Sequence, residues 1–336
     1  MKKTALILVL LSMAISALAQ EETKSSASFF QRMDSRMYKK QHKVVVDSSY
    51  IEIPDQRWTL KTSSNITWNT LGIKHQIEDM GFSTNLHSDL TFSQGVSVAW
   101  RWLELGFSIN PAWFIPSLKN SDQAYSISVY GKKFGMSATF RIANSYMGTL
   151  LSLPDSTSVV IPKGDITADV SGDFDAWYVF NGNKFSYSAP FTMMQIQKRS
   201  AGSAILGLSV RNGFSVFEGI SYNDKEKMSL MTNILALGGG YAHNFITPHQ
   251  WLIHVSVVGN LSVLSYNVLQ TSTETTMMKN TYPDWVGTFQ FSVLHWTQRW
   301  FYGFNFSLRG AVYGTMDNLE FTNARTEAHL VVGCRL

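Results

Sequence analysis

The chain has 336 residues, a formal net charge of +4, 15% charged and 13% aromatic residues, and a mean hydropathy of −0.04. So small a charge argues against nucleic acid as a partner, and the single Cys334 excludes an internal disulfide or a cysteine-based zinc site. Charged residues fall well below the roughly 25% of soluble domains, which suits a chain with one lipid face and one polar face.

The chain opens with a basic pair, Lys2 and Lys3, a short apolar run Ala5–Leu11 and a small-residue cleavage site at Ala17-Leu18-Ala19. Residues 1–19 therefore read as a secretory signal peptide. No cysteine follows the site, so a lipid anchor is not expected. No later apolar run reaches the ~18 residues a spanning helix needs, which leaves strands as the means of crossing a membrane. Residues 20–55 are expected to be an N-terminal periplasmic extension. They carry a basic cluster, Arg32, Arg36, Lys39, Lys40 and Lys43, with Phe29, Phe30, Met33 and Met37 at roughly helical spacing. A short helix or disordered leader is the plain expectation, a membrane-surface helix the sharper one. Strand signals begin at Asp47–Ile53.

Residues 56–336 repeat one pattern. In Arg57–Trp68, Trp58, Leu60, Ile66 and Trp68 oppose Arg57, Lys61, Asn65 and Thr67. Val96, Val98, Trp100 and Trp102 oppose Ser97, Ala99 and Arg101. Phe134, Met136, Phe140 and Ile142 oppose Gly135, Ser137, Thr139 and Arg141; Leu206, Leu208 and Val210 oppose Gly207, Ser209 and Arg211. Further on, Trp251, Ile253, Val255 and Val257 oppose His254 and Ser256, and Trp300, Tyr302, Phe304, Phe306 and Leu308 oppose Arg299, Asn305, Ser307 and Arg309. Strands send successive side chains to opposite faces. One aromatic, apolar face and one polar or small face, strand after strand, specify an all-β fold: a transmembrane antiparallel up-and-down β-barrel of about 12 strands, within a range of 10–14. Trp58, Trp68, Trp102, Trp251, Trp285, Trp296 and Trp300 are expected in interfacial girdles. The last strand, Ala328–Leu336, has the same alternation but lacks the usual terminal aromatic. Counting back from it makes 265–283 an outer loop and also puts the tight turn at Lys132-Lys133 outside, where short turns are unusual; a missed strand would remove the conflict.

Residues 151–202 read as one long insertion. Its first half holds Asp155, Asp165, Asp169, Asp173 and Asp175. Asn181-Gly182-Asn183 is a hairpin signal, and Lys198, Arg199 and Ser200 close the segment. It is expected to be a surface loop or a lumen plug.

The stretches VDSSYIEIPDQRW, SISVYGKKFG and KFSYSAPFTMMQIQKRSAGSAILGLS carry a resemblance. From about Val46 onward the chain resembles a family of uncharacterised Gram-negative outer-membrane proteins, known only as a domain of unknown function. The stretch around Phe185–Ser203 is its most specific part. Family members often show two alanines before the phenylalanine; here Ala189-Pro190 precedes Phe191. The resemblance implies export and an outer-membrane barrel-like fold, and no activity.

Searches for chemistry give little. His87 and Ser88, neighbours in a strand, point apart; His254 and Ser256 share a face but lack an acidic partner. Gly238-Gly239-Gly240 lacks the helix of a phosphate loop and fits tight strand packing. Asp165, Asp169 and Asp173 lack calcium-loop spacing. No catalytic residue, cofactor or metal is assigned.

Arg57, Lys61, Arg101, Arg141, Arg211, Arg299, Arg309 and Arg335, with His254, fall on the polar faces, and few carboxylates are expected to share them. The lumen-lining candidates are Arg101, Arg141, Arg211, His254, Arg299 and Arg309; the plug or loop candidates are Asp165, Asp169, Asp173, Asp175, Lys198, Arg199 and Ser200. Rim placement of the arginines ranks first, then an acidic plug drawn from 155–175, then an open anion pore. The function expected is a structural or pore-type barrel with an arginine-rich lumen; the alternatives are a lipid- or glycan-acting barrel enzyme and a soluble secreted β-protein. Outer-membrane lipid and the barrel-assembly machinery are the expected partners, and the sequence identifies no ligand.

Overall fold

The computed structural model describes residues 32, 35, 46–77, 80–111, 122–143, 146–153, 158–161, 166–218, 227–270, 275–278, 284–315 and 319–336. Two compact units divide the chain, Met1–Val45 and Val46–Leu336. In the first, Arg32 and Ser35 are described and helical, with Ser35 Oγ donating to the Arg32 carbonyl at 3.0 Å. The expected signal peptide, the basic residues 36–43, Asp155 and Asp165 lie outside the described residues.

The second unit holds twelve long strands: β1 (Trp58–Ile77), β2 (Thr91–Trp100), β3 (Leu103–Ile109), β4 (Asp122–Tyr130), β5 (Phe134–Ala143), β6 (Ile166–Val179), β7 (Ala201–Glu218), β8 (Lys227–Ile246), β9 (Trp251–Gln270), β10 (Trp285–Trp296), β11 (Trp300–Thr315) and β12 (Leu319–Arg335). Each pairs antiparallel with the next, and β12 pairs back onto β1 from Arg335↔Thr59 to Leu319↔His75. Closure removes both sheet edges and satisfies the ladder within the wall, the condition for strands in lipid. The upper half of β1 also pairs with Met80–Ser88, which pairs with Tyr146–Leu153 and through it with Ser158–Ile161.

Both ends of the barrel chain meet at what is here called the lower end, where the Arg57 and Trp58 amides donate to the Leu336 carbonyl. The short turns 101–102, 131–133, 247–250 and 297–299 lie there too. Lys132-Lys133 is thus on the side of the termini, not the opposite one. The missing strand is β6, which lies within the stretch 151–202 that the sequence reads as an insertion. Leu103 and Glu104 open β3 directly after the turn 101–102.

Burial follows the alternation. Ile66, Phe92, Leu105, Ile127, Phe140, Leu206, Leu237, Val257, Leu308 and Leu330 are exposed on the outer face. Soluble monomers rarely expose apolar patches beyond a few hundred Å²; a belt contributed by strand after strand is a lipid surface. Trp58, Trp251, Trp300 and Tyr302 band its lower margin, and the Trp58 and Trp100 rings lie 6.2 Å apart. Trp296 is a correction to the expected girdle. It shares parity with the inward residues of β10, is 8% exposed, and packs inside the barrel. The triple glycine of β8 marks close packing: a Cβ on Gly240 would stand 1.9 Å from the Val257 carbonyl oxygen of β9.

Candidate functional site

Residues 151–202 are not one insertion. They comprise upper strands, the wall strand β6, and a segment, 180–200, that enters the lumen from the lower end. The turn at Asn181-Gly182-Asn183 leads inward rather than into a second strand. A one-turn helix, Ala189–Thr192, has Pro190 in its first turn, where the missing amide costs nothing. Met193 ends it in the left-handed conformation at φ 52°.

This plug is seated by two apolar clusters. Ala189, Met193 and Ile196 pack on Leu252, Leu294, Trp296, Phe301 and Val331 from β9 to β12. Phe185 packs with Val179, Ala201, Ile205 and Ala242 across β6, β7 and β8. Phe185 and Met193 are fully buried, and each such burial contributes roughly 1.5–3 kcal/mol. Polar anchors fix its orientation. Lys61 Nζ donates to the Phe191 carbonyl at 2.9 Å, Arg335 Nε to Met193 at 3.1 Å, Asn244 Nδ2 to Ser186 at 2.7 Å, and Tyr187 Oη to Gln290 Oε1 at 2.6 Å. His254 is fully buried between β9 and the plug, its Nδ1 2.7 Å from Asn244 Oδ1 and its ring among Phe185, Tyr187 and Phe191.

The residues just before the barrel latch the plug from below. Ile51 and Glu52 pair with Gln197 and Ile196; the Asp47 amide donates to the Asn183 carbonyl and the Lys198 amide to that of Tyr50. Gln197 Nε2 spans the Tyr50, Lys184 and Arg199 carbonyls. Lys184 and Arg199 both lie over the Tyr50 ring, at 5.1 and 5.9 Å. Ser49, through its hydroxyl and amide, holds the Asp47 carboxyl below its usual pKa.

Above the plug lies a chamber of about 310 Å³. Trp177, Tyr187, Phe191 and Tyr130 line it below, with Trp177 5.1 Å from Tyr187 and 5.6 Å from Tyr130. Gly135, the register partner of Trp177, makes room for that ring: a Cβ there would stand 2.5 Å from it. Serine, threonine, asparagine and glutamine are the commonest residues of the wall.

Higher still, the lumen is crossed by ion pairs. Arg141 bonds Asp122 through Nε and Nη2, Glu327 at 2.8 Å and Thr67 at 3.0 Å. Asp173 meets Arg325 at 3.0 Å, Arg211 at 3.6 Å and Arg309 at 3.7 Å; Asp175 meets Arg211 at 2.7 Å. Lower down, beside the plug, Lys61 pairs with Glu104 at 2.6 Å. Carboxylates therefore do share the arginine faces, contrary to the sequence reading. Asp169, Asp173 and Asp175 are wall residues of β6, alternating with the outward Val170 and Phe174, not members of an acidic loop. Asp169 accepts from Ser215 and Tyr146.

Of the lumen-lining candidates, Arg141, Arg211 and Arg309 meet in this layer and His254 packs against the plug. Arg101 sits in the lower turn at φ 54°, and Arg299 is exposed at the lower rim. Lys198, Arg199 and Ser200 form the plug's exit, Ser200 Oγ accepting from the Ile246 amide at 2.9 Å. Sequence reasoning missed Glu104, Asp122, Arg325 and Glu327 as lumen groups. It also missed the plug's seat, although Leu252, Leu294, Phe301 and Val331 are apolar residues at polar-face positions near lower strand ends. Neither serine–histidine pair forms a nucleophile and base: Ser256 Oγ bonds Gln290, not His254, and Ser88 is buried while His87 is exposed.

A closed up-and-down barrel with a lipid-facing belt and a filled lumen defines a transmembrane β-barrel protein. The chain belongs to the family described as Domain of unknown function (DUF4421), whose model matches residues 45–335. Among solved structures it is similar to the toluene transporter TodX of P. putida, with a TM-score of 0.34 and 8% identity over 84% of this chain and 91% of that one. It is also similar to the β domain of the Bordetella autotransporter BrkA (0.31, 7%, 80% and 98%) and to the transport unit of the autotransporter AIDA-I from Escherichia coli (0.31, 9%, 89% and 97%). No curated protein matches. At such identities and TM-scores these likenesses carry nothing further, and the fold stands on its own strand pairing.

Proposed function

We propose that this protein is a transport-type barrel of the outer membrane, exported by its N-terminal segment and inserted by the barrel-assembly machinery. Its lower end is periplasmic and is closed by a resident plug that must shift for a solute to pass. The observation that carries this reading is the seat of 180–200. The plug is continuous with the wall only through β6 and β7, and its interior contacts are side-chain packing and single hydrogen bonds rather than a ladder. A permanent filling would gain most from pairing its backbone, yet its strand pairing is confined to Ile196 and Gln197, and is with the latch rather than the wall.

The test is planar-bilayer conductance of the intact protein against a variant in which 184–199 is replaced by a short Gly-Ser turn. The intact protein should be nearly silent and the variant steadily conducting. Silence in both, with both barrels shown to be folded by heat-dependent gel mobility, refutes the transport reading.

A further inference from the structure

The chamber's chemistry is selective about what could occupy it. Its volume, about 310 Å³, lies at the lower end of small-molecule sites. It equals the liquid share of on the order of ten waters.

Every charged group that faces it has a counter-charge within the wall, Arg309 the most loosely, with its Nε unbonded among the described residues. Lys61 is paired with Glu104, Arg141 with Glu327, Asp175 with Arg211, Arg309 with Asp173, and His329 stands 4.0 Å from Glu327. A charged ligand would have to compete with these pairs for their counter-charges, and separating a buried pair leaves a charge uncompensated, which is strongly unfavourable.

An apolar ligand fares no better. The hydroxyls of Ser63, Ser126, Thr139 and Thr288 line the chamber and make no hydrogen bond among the described residues. Covering them without partners costs their desolvation. A neutral ligand with many hydroxyls satisfies both conditions.

The floor adds a second, independent feature: Trp177 and Tyr187 present an aromatic surface beneath a polar wall. A pyranose has this division of chemistry, with hydroxyls projecting round its edge and C–H groups on its faces. We infer that the chamber is a binding site for a neutral monosaccharide, seated with one C–H face on Trp177 and Tyr187 and its hydroxyls against the serine and threonine wall. Because Tyr187 belongs to the plug, the bound sugar rests on the element that closes the barrel. This names the solute class of the transport reading, but binding itself needs no current.

The experiment is isothermal titration calorimetry of the folded, detergent-solubilised full-length barrel with D-glucose, N-acetyl-D-glucosamine, galacturonate and inorganic phosphate as probes. One-site saturable binding of at least one neutral sugar is expected, with galacturonate and phosphate weaker by about tenfold or more, some 1.4 kcal/mol. Filling the chamber with Ser126→Leu and Thr139→Leu together should abolish binding. Tyr187→Ala should weaken it about tenfold, whereas Tyr187→Phe, which keeps the ring, should stay within about threefold. The Phe variant guards against a plug that merely misfolds in the Ala variant. Absence of saturable binding by either neutral sugar overturns the proposal, as does tighter binding of either anion or unchanged binding in the filled chamber. Any of these can occur while the plug-deleted barrel still conducts, so the two readings fail separately.

Discussion

Arg141 is held from three directions, by Asp122, Glu327 and Thr67, and is 5% exposed. Removing one member of a buried ionic group leaves its partners charged and unsolvated, so Arg141→Ala should cost about 3–5 kcal/mol. Neutralising the partners as well, with Asp122→Asn and Glu327→Gln, should recover part of that loss. The check is the urea midpoint for unfolding from lipid vesicles, and an unchanged midpoint in the single variant would show that the group holds nothing. The outer face obeys a different rule. Phe306 lies midway along the outward run from Trp300 to Val312 of β11 and pairs with Phe291. Phe306→Arg places a charge near the bilayer midplane and should cost about 2–4 kcal/mol. The inward neighbour Asn305 accepts from Ser292 at 2.6 Å, and Asn305→Ala should cost only about 1 kcal/mol. Equal tolerance in the same unfolding assay would reverse the assignment of faces.

Among elements, the plug depends on a short latch. The Tyr50 ring carries the cations of Lys184 and Arg199 over it, and its carbonyl accepts the Lys198 amide at 2.7 Å. Tyr50→Ala removes the ring and should loosen the plug's lower edge by about 1–2 kcal/mol, a factor of roughly 5–30 in its open population. Trypsin nicking after Lys198 or Arg199, both exposed, should accelerate accordingly while the barrel keeps its heat-dependent mobility; an unaltered nicking rate would mean that the latch is idle. The latch and plug were hard to read in the sequence for a physical reason. Strands announce themselves by period two, and β1, β2, β5, β7, β9, β11 and β12 were legible in that way. The plug, 180–200, has neither period, because its side chains fill gaps left by several strands rather than one face. Wall strand β6 was obscured by its own chemistry. Asp169, Asp173 and Asp175 read as an acidic loop until their partners Arg211, Arg309 and Arg325 are seen across the lumen. That pairing spans long sequence separations, and period-two alternation on a single strand does not reveal it.

For the whole molecule, the distribution of charge bears on what the lumen would pass once opened. Polar-face arginines suggest an anion pore when counted strand by strand. Across the closed barrel, Lys61, Arg141, Arg211, Arg309 and Arg325 stand against Glu104, Asp122, Asp169, Asp173, Asp175 and Glu327. Paired charges a few ångströms apart act on a passing ion as dipoles, and their fields largely cancel beyond the Debye length of about 8 Å at physiological salt. The barrel lacking 184–199 should therefore discriminate weakly between anions and cations, with a reversal potential near zero in a potassium chloride gradient. Asp173 and Asp175 are the carboxylates that hold Arg211, and Asp173 also holds Arg309 and Arg325. Replacing both by asparagine in the same plug-deleted barrel removes two negative charges while leaving every arginine in place. The unpaired guanidinium groups should then favour anions, and the reversal potential should move toward the chloride equilibrium value. A strongly anion-selective current before the replacement would mean that the ion pairs do not govern the field in the lumen. A shift toward potassium after it would place those arginines outside the conducting path.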